Sequence, residues 1–125
     1  MKKTLSALLL VSLLLALVGC RPQFVGNAYT TSTGYHMDFS VLNRTEKAEL
    51  SLKDGESLRV IISLTEGSVA LTISGDEGEA YRGNDLKNEA FTVGVPAGGR
   101  YYITVMGSDA AGKVEILKRD TANGS

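Results

Sequence analysis

The chain has one thiol, Cys20, and one imidazole, His36, so any site built on either must draw its other groups from other residue types. His36 and Asp38 are two residues apart, which puts both on one face of a strand. A nucleophile, a base and an orienting carboxylate would be needed for acyl chemistry. A lone histidine on a polar face is ordinarily a solvated side chain, and zinc wants several N or S ligands, so no catalytic residue and no metal is assigned. The carboxylates Asp76, Glu77 and Glu79 crowd one turn, and Asp85 and Glu89 follow. Paired carboxylates can do acid–base work, and calcium takes oxygen ligands, with Asn84 able to add one. The spacing is neither that of an EF-hand nor of a nonapeptide repeat. Solvated turn carboxylates are the simpler reading, with Asp76, Glu77 and Glu79 kept as calcium candidates. Of the five tyrosines, alternation buries Tyr35 and Tyr101 and leaves Tyr81 and Tyr102 as exposed rings. With Asn84 and Asp85 beside Tyr81, these four form the candidate ligand-binding set. The absence of Trp counts against carbohydrate stacking, and packing is the competing role for the rings.

Cys20 closes an apolar run. Met1-Lys2-Lys3 is a basic start, Leu5 to Val18 is almost wholly Leu, Val, Ala and Ser, and Arg21 follows the cysteine. A basic n-region, an apolar h-region and small residues before a cut site make a secretory signal. Thr4 to Cys20 is 17 residues, the short limit for a spanning helix of about 17–25, so an uncleaved anchor stays an alternative. A plain secretory signal with a chance cysteine is another. An exported chain with one thiol can form no internal disulfide. The run Leu17-Val18-Gly19-Cys20 resembles the lipobox of bacterial lipoproteins. The resemblance implies a helical signal peptide over 1–19 and cleavage between Gly19 and Cys20. It further implies a diacylglyceryl thioether on Cys20 and an acylated (palmitate-type) new N-terminus. Two or three acyl chains anchor stably where one does not. The domain would face outward from the cell membrane, or be delivered to the outer membrane in a diderm source.

Removing residues 1–19 leaves 106 of 125 residues, with 11 basic against 14 acidic side chains and a formal charge of −3. That is enough for one domain. The mixed surface has no basic stripe, so nucleic acid is not an expected partner. The membrane contact is the lipid, with no polybasic segment to grip anionic headgroups.

Residues 20–26 read as the lipidated cysteine and a short tether, 27–119 as the folded domain and 120–125 as a disordered tail. Gly26 to Thr33 reads as a short edge strand or loop that buries Tyr29 and Ala28. Tyr35, Met37, Phe39 and Val41 then alternate with polar residues, the period-two mark of a half-buried strand. Ala48, Leu50 and Leu52 alternate up to Asp54-Gly55, a strong hairpin signal before Leu58, Val60, Ile62 and Leu64. Turns are expected at Glu66-Gly67 and across Gly75 to Gly78, with Val69, Leu71 and Ile73 between them. A short strand around Tyr81 and a polar loop over Gly83 to Glu89 come next. Phe91, Val93 and Val95 lead to Pro96-Ala97-Gly98-Gly99. Tyr101, Ile103 and Val105 follow, then a loop over Gly107 to Gly112, and Val114 and Ile116 finish the pattern. About eight strands at such spacing predict an all-β, antiparallel two-sheet β-sandwich.

Val69-Ala70-Leu71-Thr72-Ile73, Phe91-Thr92-Val93 and Pro96 through Val105 resemble the β-sandwich modules of pre-peptidase C-terminal type and related jelly rolls. The resemblance implies a jelly-roll-like fold and, being carried by packing positions, no activity. The family's acidic strand is missing, so its calcium behaviour does not transfer. The expectation is a non-catalytic, membrane-anchored lipoprotein, without cofactor beyond its lipid, whose β module binds a glycan or an envelope protein. A purely structural envelope lipoprotein and a carboxylate-dependent hydrolase are the alternatives.

Overall fold

The computed structural model describes residues 21–120. The expected signal peptide, Cys20 and residues 121–125 of the expected tail lie outside the described residues. Seven antiparallel strands account for nearly all of the rest: β1 Phe24–Thr31, β2 Gly34–Leu42, β3 Thr45–Leu52, β4 Glu56–Gly75, β5 Gly78–Leu86, β6 Asn88–Gly94 and β7 Gly99–Asp120. Among the described residues there is no helix. The all-β antiparallel class is as the alternation predicts.

The count and the sheet organisation differ from expectation. Glu66-Gly67 and Gly107 to Gly112 are not turns, because β4 and β7 run straight through them. Four expected strands thereby become two long ones. All seven strands hydrogen-bond into one open sheet rather than two separate ones, in the order β1-β2-β7-β4-β5, with β3 on β7 and β6 on β4. β4 and β7 pair along almost their whole length, with register shifts between Leu64 and Ser68. The first part of β4 (56–64) carries β6, and the last part of β7 carries β2 and, beyond it, β1. The last part of β4 (69–75) carries β5, and the first part of β7 carries β3.

The shifts switch which residues face inward. Before them Leu58, Val60, Ile62 and Leu64 are buried; after them Val69, Leu71 and Ile73 are. β7 does the same, from Tyr101, Ile103 and Val105 to Ala110, Val114 and Ile116. A single sheet layer cannot bury one of its own faces, and no second layer exists among the described residues, so the sheet must fold over itself. Tyr81 of β5 and Phe91 of β6 show the closure directly. They belong to opposite portions of the sheet, yet their rings lie 4.8 Å apart. Twenty-one of the described residues form one continuous core. At about 25 cal/mol per Å² of apolar surface, this shared interior is the main stabilising term.

The fold-over needs residues without a side chain at its crease. Gly67 has φ +68°, and a Cβ there would lie 2.3 Å from the carbonyl oxygen of Asp109. Gly112 has φ +142°, with the Ser63 carbonyl oxygen 2.2 Å from where its Cβ would be.

Other expectations are corrected. Asp54-Gly55 joins strands that do not pair with each other, since β3 lies on β7. It is a crossover, and Asp54 is held there by accepting a 2.7 Å hydrogen bond from the Gly98 amide. The expected loop 83–89 is mostly strand, with a register shift and Asp85 at φ 55°. In β2 the inward place after Phe39 passes from Val41 to Leu42, which is fully buried, because the register slips between Phe39 and Leu42. The tether is shorter than expected. β1 begins at Phe24, under the Arg44 guanidinium at 5.0 Å, and the Gln23 carbonyl accepts a hydrogen bond from Asn43. Asp120 belongs to β7 rather than to a tail.

Candidate binding surface

Alternation in β1, β2 and β7 aims Tyr29, His36 and Glu115 to the outer face, and register sets them in one row. Tyr29 pairs with His36, and His36 with Glu115. The next row is Asn27, Asp38 and Lys113. The Tyr29 and His36 rings stack with centroids 5.1 Å apart at 18°. Because β1 is a sheet edge, the other face of Tyr29 looks out past that edge. The ring is 53 % exposed, against the expectation that it is buried.

His36 is held on both sides. Its Nδ1 lies 3.5 Å from a Glu115 oxygen and its Nε2 3.4 Å from the Thr31 hydroxyl. The same hydroxyl accepts a 3.2 Å hydrogen bond from the Thr33 amide in the β1–β2 turn. Between the two rows is a shallow depression of about 130 Å³, lined by Tyr29, His36, Met37, Asp38, Lys113 and Glu115. It offers an aromatic ring, carboxylates, an imidazole and an ammonium within one small area. Acceptors and donors set around an aromatic ring suit a polyhydroxylated ligand, whose hydroxyls need both and whose C–H faces need a ring. Asp38 faces Lys113 rather than orienting His36. The hydroxyl–imidazole–carboxylate order is Thr31, His36, Glu115, with contacts longer than the 2.6–3.2 Å typical of a working relay.

The four residues singled out from sequence are not brought together. Tyr81 pairs with Ile73 on the inward face and packs on Phe91. Burial, and then the charge of Glu89, pushes its phenol pKa up. Tyr102 pairs with Ser74 on the outward face and is 47 % exposed. Asn84 and Asp85 lie on edge strand β5, where Asp85 takes the irregular φ.

The acidic turn is also divided. Glu79 is engaged by Arg82, at 2.7 Å. Asp76 and Glu77 line a second depression of about 130 Å³ with Ala97 to Tyr101. The β4–β5 register places Asp76 and Asp85 at opposite ends of β5. Among the described residues, no group of three or more His, Cys, Asp or Glu side chains is placed to hold a metal ion.

Sequence reading missed Tyr29 because its partners come from β2 and β7, up to 86 positions away. The one available signal was the period-two step from Asn27 to Tyr29 to Thr31, which sets the three on one face. Compared with known proteins, the chain matches no protein-family model and no curated sequence.

Proposed function

We propose that the chain is an outward-facing, lipid-anchored binding module whose ligand is a glycan of the cell envelope or its surroundings. The observation that carries the reading is the gathering of Tyr29, His36, Asp38, Lys113 and Glu115 around one depression. The anchor half rests on the lipobox-like run and Cys20. Every described strand and the whole described core fall within residues 24–120, so the fragment from Arg21 to Ser125 carries the described fold.

Thermal melting of that fragment against a panel of cell-wall and dietary glycans tests the binding half. A ligand at one hundred times its dissociation constant stabilises by about 2.7 kcal/mol. For a domain of this size that raises the midpoint by roughly 10 °C. Tyr29→Ala and Glu115→Gln should each remove the shift, while Tyr81→Phe should keep it. A flat panel would favour the structural envelope reading.

A hydrolase reading has the order Thr31, His36, Glu115 in its favour. Turnover of an activated ester that His36→Gln abolishes would establish it. The depression's shallowness and the long contacts favour binding.

A further inference from the structure

We propose that β1 is a pairing edge for a second copy of this chain, forming a two-fold dimer through antiparallel β1–β1 hydrogen bonds. A free edge exposes a row of backbone donors and acceptors, and proteins commonly guard it with charge, brevity or irregularity. The four edges of this sheet differ in that respect. β3 carries Glu46, Lys47 and Glu49, and β6 carries Glu89. β5 carries Glu79, Arg82 and Asp85 and is broken by two register shifts. β1, Phe-Val-Gly-Asn-Ala-Tyr-Thr-Thr, has no charged residue, and its register is regular from Gly26 to Thr31. No described strand pairs with its outer edge. Of four large exposed hydrophobic residues among those described, Val25 and Tyr29 lie on this one strand.

Self-complementarity argues for a second copy. An antiparallel pair centred on Tyr29 sets Tyr29 against the partner's Tyr29, Ala28 against the partner's Thr30, and Asn27 against the partner's Thr31. No charge opposes a charge anywhere along it. The uncovered face of each Tyr29 ring meets its counterpart, which extends the row Glu115, His36, Tyr29 symmetrically into the partner and makes a second copy and a glycan alternative occupants of that face. Such a two-fold contact closes on itself and does not propagate into a filament.

The test is sedimentation velocity of the full chain extracted from membranes in detergent, across a hundredfold range of concentration. The wild type should move from monomer to dimer. Asn27→Lys adds a charge to the edge and should weaken dimerisation at least about tenfold, with the circular dichroism spectrum unchanged. The double variant Asn27→Lys/Thr31→Glu sets an ammonium opposite the partner's carboxylate in this register and should restore the dimer. A wild type that stays monomeric throughout overturns the proposal. So does a dimer indifferent to Asn27→Lys, or one that the double variant fails to restore.

Discussion

Tyr35 shows how much a single buried side chain owes to the period-two pattern. It is 3 % exposed, and burial, then the nearby Glu46 charge, pushes its phenol from an ordinary 10 up to about 12. The folded state therefore holds that proton more tightly than the unfolded chain. The resulting contribution to stability is complete below pH 10 and is lost as pH rises from 10 through 12. Tyr35→Phe keeps the ring and removes the titrating group. Its melting temperature should fall less than that of the wild type between pH 10 and 12, and equal alkaline slopes would contradict this. At this scale the sequence was informative where burial follows from alternation alone, as for Tyr35, Met37, Tyr101 and Ile103. It was uninformative for Tyr81 and Tyr29. The first is covered by Phe91 and the second stacks on His36; the fold-over of the sheet sets the first neighbour and strand register the second, and local pattern sets neither.

Among the elements, the crease in β4 and β7 decides the architecture. A glycine between two alternating runs satisfies the steric demands of a turn and of a bulge equally, so Glu66-Gly67 and Gly107 to Gly112 read as turns from sequence. The difference lies in the pairing partner, and here β4 and β7 keep hold of each other on both sides of the shift. Asp54-Gly55 misleads for the same reason. Its two-residue chemistry fits a hairpin, but the stretch of β4 that follows it is paired with β6 and β7, and β3 lies on β7 instead. Gly67→Ala would drive a methyl into the Asp109 and Ser108 carbonyl oxygens, at 2.3 and 2.4 Å, from a left-handed φ. Backbone atoms on both sides leave little room to yield. A loss of about 2–4 kcal/mol is expected from overpacking and φ strain together. Gly78→Ala is the matched control, since Gly78 also has positive φ but no atom within 4 Å. It should cost about 1–2 kcal/mol, from φ strain alone. Urea unfolding of both fragments checks the difference, and equal losses would mean that the crease tolerates a side chain.

For the molecule as a whole, the proposed anchor and the fold together set the reach of the proposed binding surface. Gln23 is already tied to Asn43, so Arg21 and Pro22 are what remains of a tether before the sheet begins. From Cys20 to Phe24 the chain spans at most about 14 Å at roughly 3.5 Å per residue. A lipid on Cys20 would hold β1, with Tyr29 and Asn27, within a few nanometres of the bilayer, where it could meet surface glycans or a neighbouring copy in the same membrane. The whole arrangement depends on one sulfur. Full-length wild type should partition into the detergent phase on cloud-point separation. Its N-terminal peptide should begin at Cys20 and carry the mass of a diacylglyceryl group plus an amide-linked acyl chain. Cys20→Ser should lose labelled palmitate entirely and leave Gly19 joined to the new serine, while the β domain melts at an unchanged temperature. Loss of the lipid together with loss of the fold would make the leader part of the domain. An unmodified Cys20 in the wild type would return the apolar run to the role of a plain signal or an uncleaved helix.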